Sequence, residues 1–147
     1  MTDPVERCLG LDVGEKRIGL ALSDPLGWTA GPLPVLTRVS WKGDLARIRE
    51  LVERLEVRRV VVGLPIRMDG TSGEAAERTL HFVERLKSAV RVAVETWDER
   101  LSTREAERML IGADVRREKR RQVIDGVAAS LILQAYLDYR NAGGKPR

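Results

Sequence analysis

Three carboxylates stand out for the company they keep: Asp12, Glu99 and Asp125. Asp12 sits between Leu11 and Val13 inside an apolar run. Burying an unpaired carboxylate costs several kcal/mol, so an acid there is paired, binds a cation or faces a cleft. The competing reading has it accept backbone N–H bonds at the end of a strand. Glu99 follows an apolar alternating segment and precedes a helix start, with Asp98 beside it as the alternative or as a further carboxylate. Sites in open α/β sheets form beyond the carboxyl ends of strands, although acids before a helix also simply complement its dipole. Asp125 is the most informative of the three. Its i+3, i+4 and i+7 neighbours are Ala128, Ala129 and Ile132, so it heads an apolar, small-residue face that lets a helix approach a sheet closely. The alternative is an acid offsetting Arg120 and Arg121 in a first helical turn.

Three acids from two strand ends and a helix suit Mg²⁺ or Mn²⁺, which prefer carboxylate and water oxygens. Paired ions on such a cluster would activate a water and stabilise the leaving oxygen of a phosphodiester. Rival chemistries lack their residues. His81 is the only histidine and has no apparent dyad or ligand partner, and Cys8 reads as a small core residue. Basic groups lie near the acids in sequence. Arg116, Arg117, Lys119, Arg120 and Arg121 precede Asp125, and Lys16 and Arg17 follow Asp12. Cations are unfavourable at a helix N-terminus, so keeping them there points to an anion, with phosphate backbone the obvious candidate. Residues 63–74 carry Gly, Ser and Thr ahead of a helix, a weak sign of a phosphate cradle.

The elements that must position these groups follow from periodicity. Residues 7–13 and 17–23 read as strands joined by a hairpin connection too short for anything else, and a third strand is expected at 34–37. Leu45, Ile48, Leu51, Val52 and Leu55 recur at helical spacing after a candidate cap, Asp44. Residues 58–64 suit a strand buried on both faces. A helix with Ala76, Leu80, Val83 and Leu86 inward comes next, followed by a strand at 90–94. A capping box at 102–105 predicts a further helix start. A longer last helix is expected to turn Ile124, Val127, Ala128, Leu131 and Ala135 to one side. This order predicts an α/β fold with a mixed five-stranded sheet, its first half antiparallel and its second half parallel, with helices on both faces.

Composition sets the bounds. The chain has 147 residues, 43% hydrophobic and 33% charged, enough for the core of one domain. A continuous domain is expected from about residue 7 to 139, with a frayed tail. The single cysteine excludes a disulfide framework or a multi-cysteine zinc site. Nothing approaches a membrane span, and the first residues lack signal-peptide character, so a cytoplasmic protein is expected. The net charge of +4, with 21 of the 26 basic residues arginine, permits an anionic partner without requiring one. With only six aromatics, base-stacking platforms are not expected to organise the site.

Against this background four segments resemble, in order, the motifs of the YqgF/RuvX family. They are Gly10-Leu-Asp-Val-Gly-Glu-Lys-Arg-Ile-Gly-Leu-Ala-Leu-Ser-Asp24, then Val61-Val-Gly-Leu-Pro65 with Met68-Asp-Gly-Thr71, then Asp98-Glu-Arg-Leu-Ser-Thr103, and last Asp125-Gly-Val-Ala-Ala129 with Ile132-Leu-Gln-Ala-Tyr-Leu-Asp138. The resemblance implies a ribonuclease H-like fold and a metal-dependent nuclease. The family is regarded as processing the 5′ end of precursor 16S ribosomal RNA in the bacterial cytoplasm, and its similarity to RuvC also links it to Holliday junction resolution. Its acidic positions fall on Asp12, Glu99 and Asp125. Arg67 stands where relatives often carry Asn, a departure that bears on backbone contacts or substrate preference. The hairpin also resembles the phosphate loop of actin-like and sugar kinases, but those enzymes clamp ATP between two such lobes and this chain has length for one.

The expected activity is therefore metal-dependent phosphodiester hydrolysis in structured nucleic acid, RNA favoured over DNA, with pre-ribosomal particles as a candidate partner. Lys16, Arg17, Arg67, Arg100 and the basic residues of 116–121 would hold the backbone without reading bases. Junction resolution, which needs two active sites and hence a dimer, and a non-catalytic nucleic-acid-binding module are the rivals. Either a monomer or a homodimer fits the sequence.

Overall fold

The computed structural model describes residues 6–66, 70, 73–99 and 117–143, with backbone alone for 117–125. The described elements are β1 (Cys8–Val13), β2 (Arg17–Ser23), β3 (Ala30–Thr37), α1 (Trp41–Arg54), β4 (Arg59–Leu64), α2 (Glu74–Ala89), β5 (Ala93–Asp98) and α3 (Arg117–Asn141). They form one sheet in the order β3-β2-β1-β4-β5. β1 pairs antiparallel with β2, and β2 with β3, whereas β1–β4 and β4–β5 are parallel. This is the mixed arrangement the element order predicted.

Side chains alternate across a strand, and the two faces bury different partners. Leu9 and Leu11 of β1, Ile18 and Leu20 of β2 and Val60 and Val62 of β4 pack with α1 and α2. Cys8, Ala21, Val61 and Trp97 point the other way, into Ala129, Ile132, Leu133 and Tyr136 of α3. Gly10 shows why α3 lies so close. A Cβ there would stand 2.9 Å from Leu133 Cβ and 3.2 Å from the Ala129 carbonyl, so only glycine lets the helix backbone settle on β1.

Several boundaries differ from the sequence reading, each for a local reason. β3 starts four residues earlier, at Ala30, because Ala30 N–H donates to the Gln134 side chain of α3 at 2.9 Å and extends the pairing with β2. Ser40, not Asp44, caps α1, accepting from Gly43 N–H at 3.1 Å. Asp44 is wholly buried in the first turn. In α2, Leu80 lies 42% exposed while Thr79 and Phe82 are buried, so the inward stripe is rotated from the expected one. Val90 closes α2 through its N–H to Leu86 O, which displaces β5 to Ala93–Asp98. The buried face of α3 runs through Ala128, Ala129, Ile132, Leu133, Tyr136 and Leu137, with Leu131 and Ala135 only half-buried at its margin. The helix start expected at 102 lies outside the described residues.

Candidate active site at the carboxyl ends of the central strands

Alternation puts Asp12 on the α3 side of β1, two residues beyond Gly10. The parallel register carries it level with Gly63, one step past the last pair Leu11↔Val62. Glu99 follows β5 directly, two residues after Trp97, the partner of Gly63. Trp97 packs toward α3, so Glu99 inherits the same face, while Asp98 alternates to the other. The site thus lies where the two parallel connections of the sheet end.

Gly63 makes the approach of Glu99 feasible. A Cβ at this position would fall 2.8 Å from Glu99 Cγ and 2.6 Å from Ile132 Cδ1. A glycine inside an apolar strand is the sequence sign of such close contact, a sign the sequence reading had not used. The Glu99 carboxyl lies on this glycine and hydrogen-bonds Asp12. Its proton affinity is pushed up to about 9, first by burial, then by the Asp12 charge and hydrogen bond, with Asp98 adding to the same effect. Every influence acts in one direction. Two carboxyl groups share a site that favours holding a proton or another cation between them.

The third acid is placed by its backbone. β1 and α3 meet at Gly10 and Ala129–Leu133, and farther back Cys8 packs with the later turns of the helix. Moving from Gly10 to Asp12 covers about 7 Å along the strand. Moving from Ala129 back to Asp125 covers about 6 Å along the helix, in the same direction. Asp125 lies on α3 one turn before Ala129, and its side chain lies outside the described residues. Among the described residues, no group of three His, Cys, Asp or Glu side chains is assembled. Asp12 and Glu99 form a pair of adjoining carboxyl groups. Carboxylate oxygens are the donor chemistry that Mg²⁺ and Mn²⁺ favour.

The basic candidates are distributed unevenly. Arg17 stands on the face of Asp12, diagonal to it across the Asp12↔Gly19 pair and within reach of a long side chain. Lys16 is exposed in the adjoining turn. Arg117, Lys119, Arg120 and Arg121 occupy the first turns of α3 by backbone, on the side where Asp125 lies. Arg67, Arg100 and Arg116 fall outside the described residues, as does most of the 63–74 loop past Ile66. His81 is exposed in α2, and Cys8 is buried in the core between the sheet and α3.

A cavity of about 630 Å³ opens over the two acids, and its far wall holds residues that sequence reasoning missed: Arg38, Trp41, Asp44 and Arg78. Arg38 is fixed by Asp44, its Nε donating to Oδ2 at 3.0 Å, and its Nη1 donates to the Gly14 carbonyl at 2.9 Å. Asp44 also accepts from Val39 N–H at 3.1 Å. A charged residue in an otherwise amphipathic helix gives no sequence sign of this role, because only the fold brings the β3–α1 corner to the hairpin turn.

Comparison with known proteins finds the same architecture and close sequence relatives. A sequence model of the RuvX family, described as Holliday junction resolvase, matches residues 6–139. A protein of Desulforamulus reducens named "Putative pre-16S rRNA nuclease" is 52% identical over 132 residues, covering 90% of this chain and 96% of its own. A protein of the same name from Symbiobacterium thermophilum is 56% identical over 133 residues, covering 90% and 92%. Among solved structures, Thermus thermophilus RuvC in complex with a Holliday junction substrate aligns at a TM-score of 0.62 with 17% identity, over 97% of this chain and 99% of RuvC. The fowlpox virus Holliday junction resolvase aligns at 0.54 with 15% identity, over 90% and 98%. These structural likenesses fix the fold as that of RuvC.

Proposed function

Since the chain belongs to the RuvX family, we propose that it is a metal-dependent nuclease and that Asp12, Glu99 and Asp125 are its catalytic acids. The observation that carries this reading is the Glu99 carboxyl seated on Gly63 and hydrogen-bonded to Asp12, with its pKa pushed up to about 9. A pair arranged this way is poised to exchange its proton for a divalent cation. Bound there, Mg²⁺ or Mn²⁺ supplies Lewis-acid stabilisation of charge on the phosphoryl group and lowers the pKa of the attacking water. The chain's own residues do the rest. Asp12 and Glu99 offer oxygens from two strands of a rigid sheet, and Asp125 adds one from the helix packed on it. Arg17, with Lys16 and the basic first turns of α3, draws the phosphate backbone to the acids without reading sequence. Arg67, Arg100 and Arg116 extend that role.

The substrate we favour is structured RNA, above all the 5′ end of precursor 16S rRNA, a cytoplasmic task carried out on pre-ribosomal particles. The support is the naming of relatives about half identical over nearly their whole length. The family description supports a second reading, resolution of four-way DNA junctions, which would require a dimer with two sites. One experiment separates them: cleavage of precursor rRNA, single strands and four-way junctions in Mn²⁺ by the parent protein and by Asp12→Asn. Cleavage of the rRNA precursor that Asp12→Asn abolishes, with binding retained, is the expected result. Turnover that survives Asp12→Asn contradicts the assigned role, and cleavage confined to junctions transfers the reading to resolution.

A further inference from the structure

The cavity over the acids does not end at them. Its rim carries Trp41, the first residue of α1, with 44% of its surface in solvent. The Trp41 backbone is held in place. The pair of half-buried Arg38 with buried Asp44 locks the β3–α1 corner, Val39 N–H binds Asp44, and Ser40 caps the helix. Two cations dress the ring. The Arg85 guanidinium carbon lies 4.6 Å from the ring centroid and Lys42 Nζ 5.4 Å from it. Arg78 lines the same cavity and has a 56% exposed side chain, with exposed bridges to Glu15 at 3.2 Å and Glu74 at 3.9 Å. Such bridges are weak and exchangeable. They also offset the two glutamates that would otherwise repel a phosphate there.

An aromatic platform flanked by cations is the chemistry that holds an unpaired nucleotide: the base stacks on the ring and the backbone follows the charges. The volume of about 630 Å³ lies within the range of sites that enclose a small molecule, roughly 300–1,000 Å³. We infer that the Trp41 rim is a subsite for a single unpaired nucleotide of the substrate strand, its base stacked on the indole and a neighbouring phosphate on Arg78. This inference rests on the nuclease reading for the identity of the strand, and it departs from the expectation that base-stacking platforms do not organise the site. A duplex offers no free base face to the ring, so the subsite selects strands that are unpaired beside the scissile bond.

The test measures anisotropy of a labelled short oligouridylate, without divalent ion, bound to the full chain and to Trp41→Phe, Trp41→Ala and Arg78→Gln. Trp41→Ala should weaken binding about tenfold or more and Trp41→Phe far less. Arg78→Gln should reduce the slope of log affinity against log salt by about 0.7, the value for one phosphate of a single strand. An abasic oligomer of the same length should bind the parent about tenfold more weakly than oligouridylate and show no difference with Trp41→Ala. Equal binding of both oligomers by the parent, or undiminished binding by Trp41→Ala, overturns the subsite even if the protein cleaves RNA. Trp41-dependent binding by a protein that cleaves nothing in Mn²⁺ leaves the subsite standing and removes the nuclease reading.

Discussion

The face of the sheet covered by α3 has two ends, and they treat negative charge in opposite ways. At the end where β1, β4 and β5 begin, Glu6 ion-pairs with Arg140 and Glu95 accepts from Arg59 Nη1 at 2.7 Å and from the Tyr136 hydroxyl. Arg59 also stands 3.9 Å from Glu6. Arg140, above all, holds the Glu6 carboxyl below its ordinary value of 4.5. Where the strands finish, Glu99 meets Asp12 and Asp98, and its carboxyl rises to about 9. One helix and one sheet serve both ends. Arginine balances acids at one end, whereas carboxyl groups adjoin one another at the other, where the proposed cation would complete the balance.

The contrast can be broken from the acidic end first. Because the folded-state pKa of Glu99 lies above its unfolded value, the folded protein holds the extra proton between about 4.5 and 9. In the absence of divalent ions, the Glu99 contribution to stability should be greatest below 4.5 and fall as pH rises through that window, with a slope of at most about 1.4 kcal/mol per pH unit for one proton. Glu99→Gln should flatten this slope, raise the metal-free melting temperature at pH 8 and abolish cleavage. Thermal melts across pH with chelator present check the first two. A Glu99→Gln profile that parallels the parent would mean the acids do not crowd each other.

A smaller effect is expected from Gly63→Ala. Its methyl would meet Glu99 Cγ at 2.8 Å and the flexible tip of Ile132. Ile132 can swing away, so the stability cost should stay near 1 kcal/mol. Glu99 must move, and a displacement of about 1 Å at a reacting centre costs on the order of 100-fold in rate. Cleavage assays and melts on the same variant test whether the glycine serves chemistry or packing. Loss of rate out of proportion to loss of stability is the expected outcome.

How much of this was written in the chain depends on whether the signal is local. The period-two runs around Asp12 and the β-branched stretch of β4 predicted the strands and the mixed sheet, and the small, apolar face of Ala128, Ala129 and Ile132 is buried against the sheet as read. Glu99 could be picked over Asp98 only as a choice; strand parity after Trp97 gives the reason in the fold. The Arg38–Asp44 pair was invisible, because a charged residue early in a helix looks like a cap until the β3–α1 corner folds against the hairpin. The stripe of α2 was misjudged at Leu80 because Thr79, counted as polar, packs inward. The network of Glu6, Arg59, Glu95, Tyr136 and Arg140 joins three separate elements and the chain before β1, a constellation that spacing cannot reveal.

The smallest effect belongs to the balanced end and has the opposite sign. Glu6 is depressed in the folded state, chiefly by Arg140, so its contribution to stability is fully present above 4.5 and disappears as pH falls through the lower folded value. Both partners remain about a third exposed or less, at 27% for Glu6 and 32% for Arg140, so solvent still screens the pair and about 1 kcal/mol is its upper worth. Glu6→Gln should therefore lower the melting temperature by a few degrees at pH 7, by less at pH 3, and leave the slope between 4.5 and 9 untouched. If Glu6→Gln instead altered that alkaline slope, the two ends would share one electrostatic system through α3, and the division between a balanced scaffold and an unbalanced site would have to be abandoned.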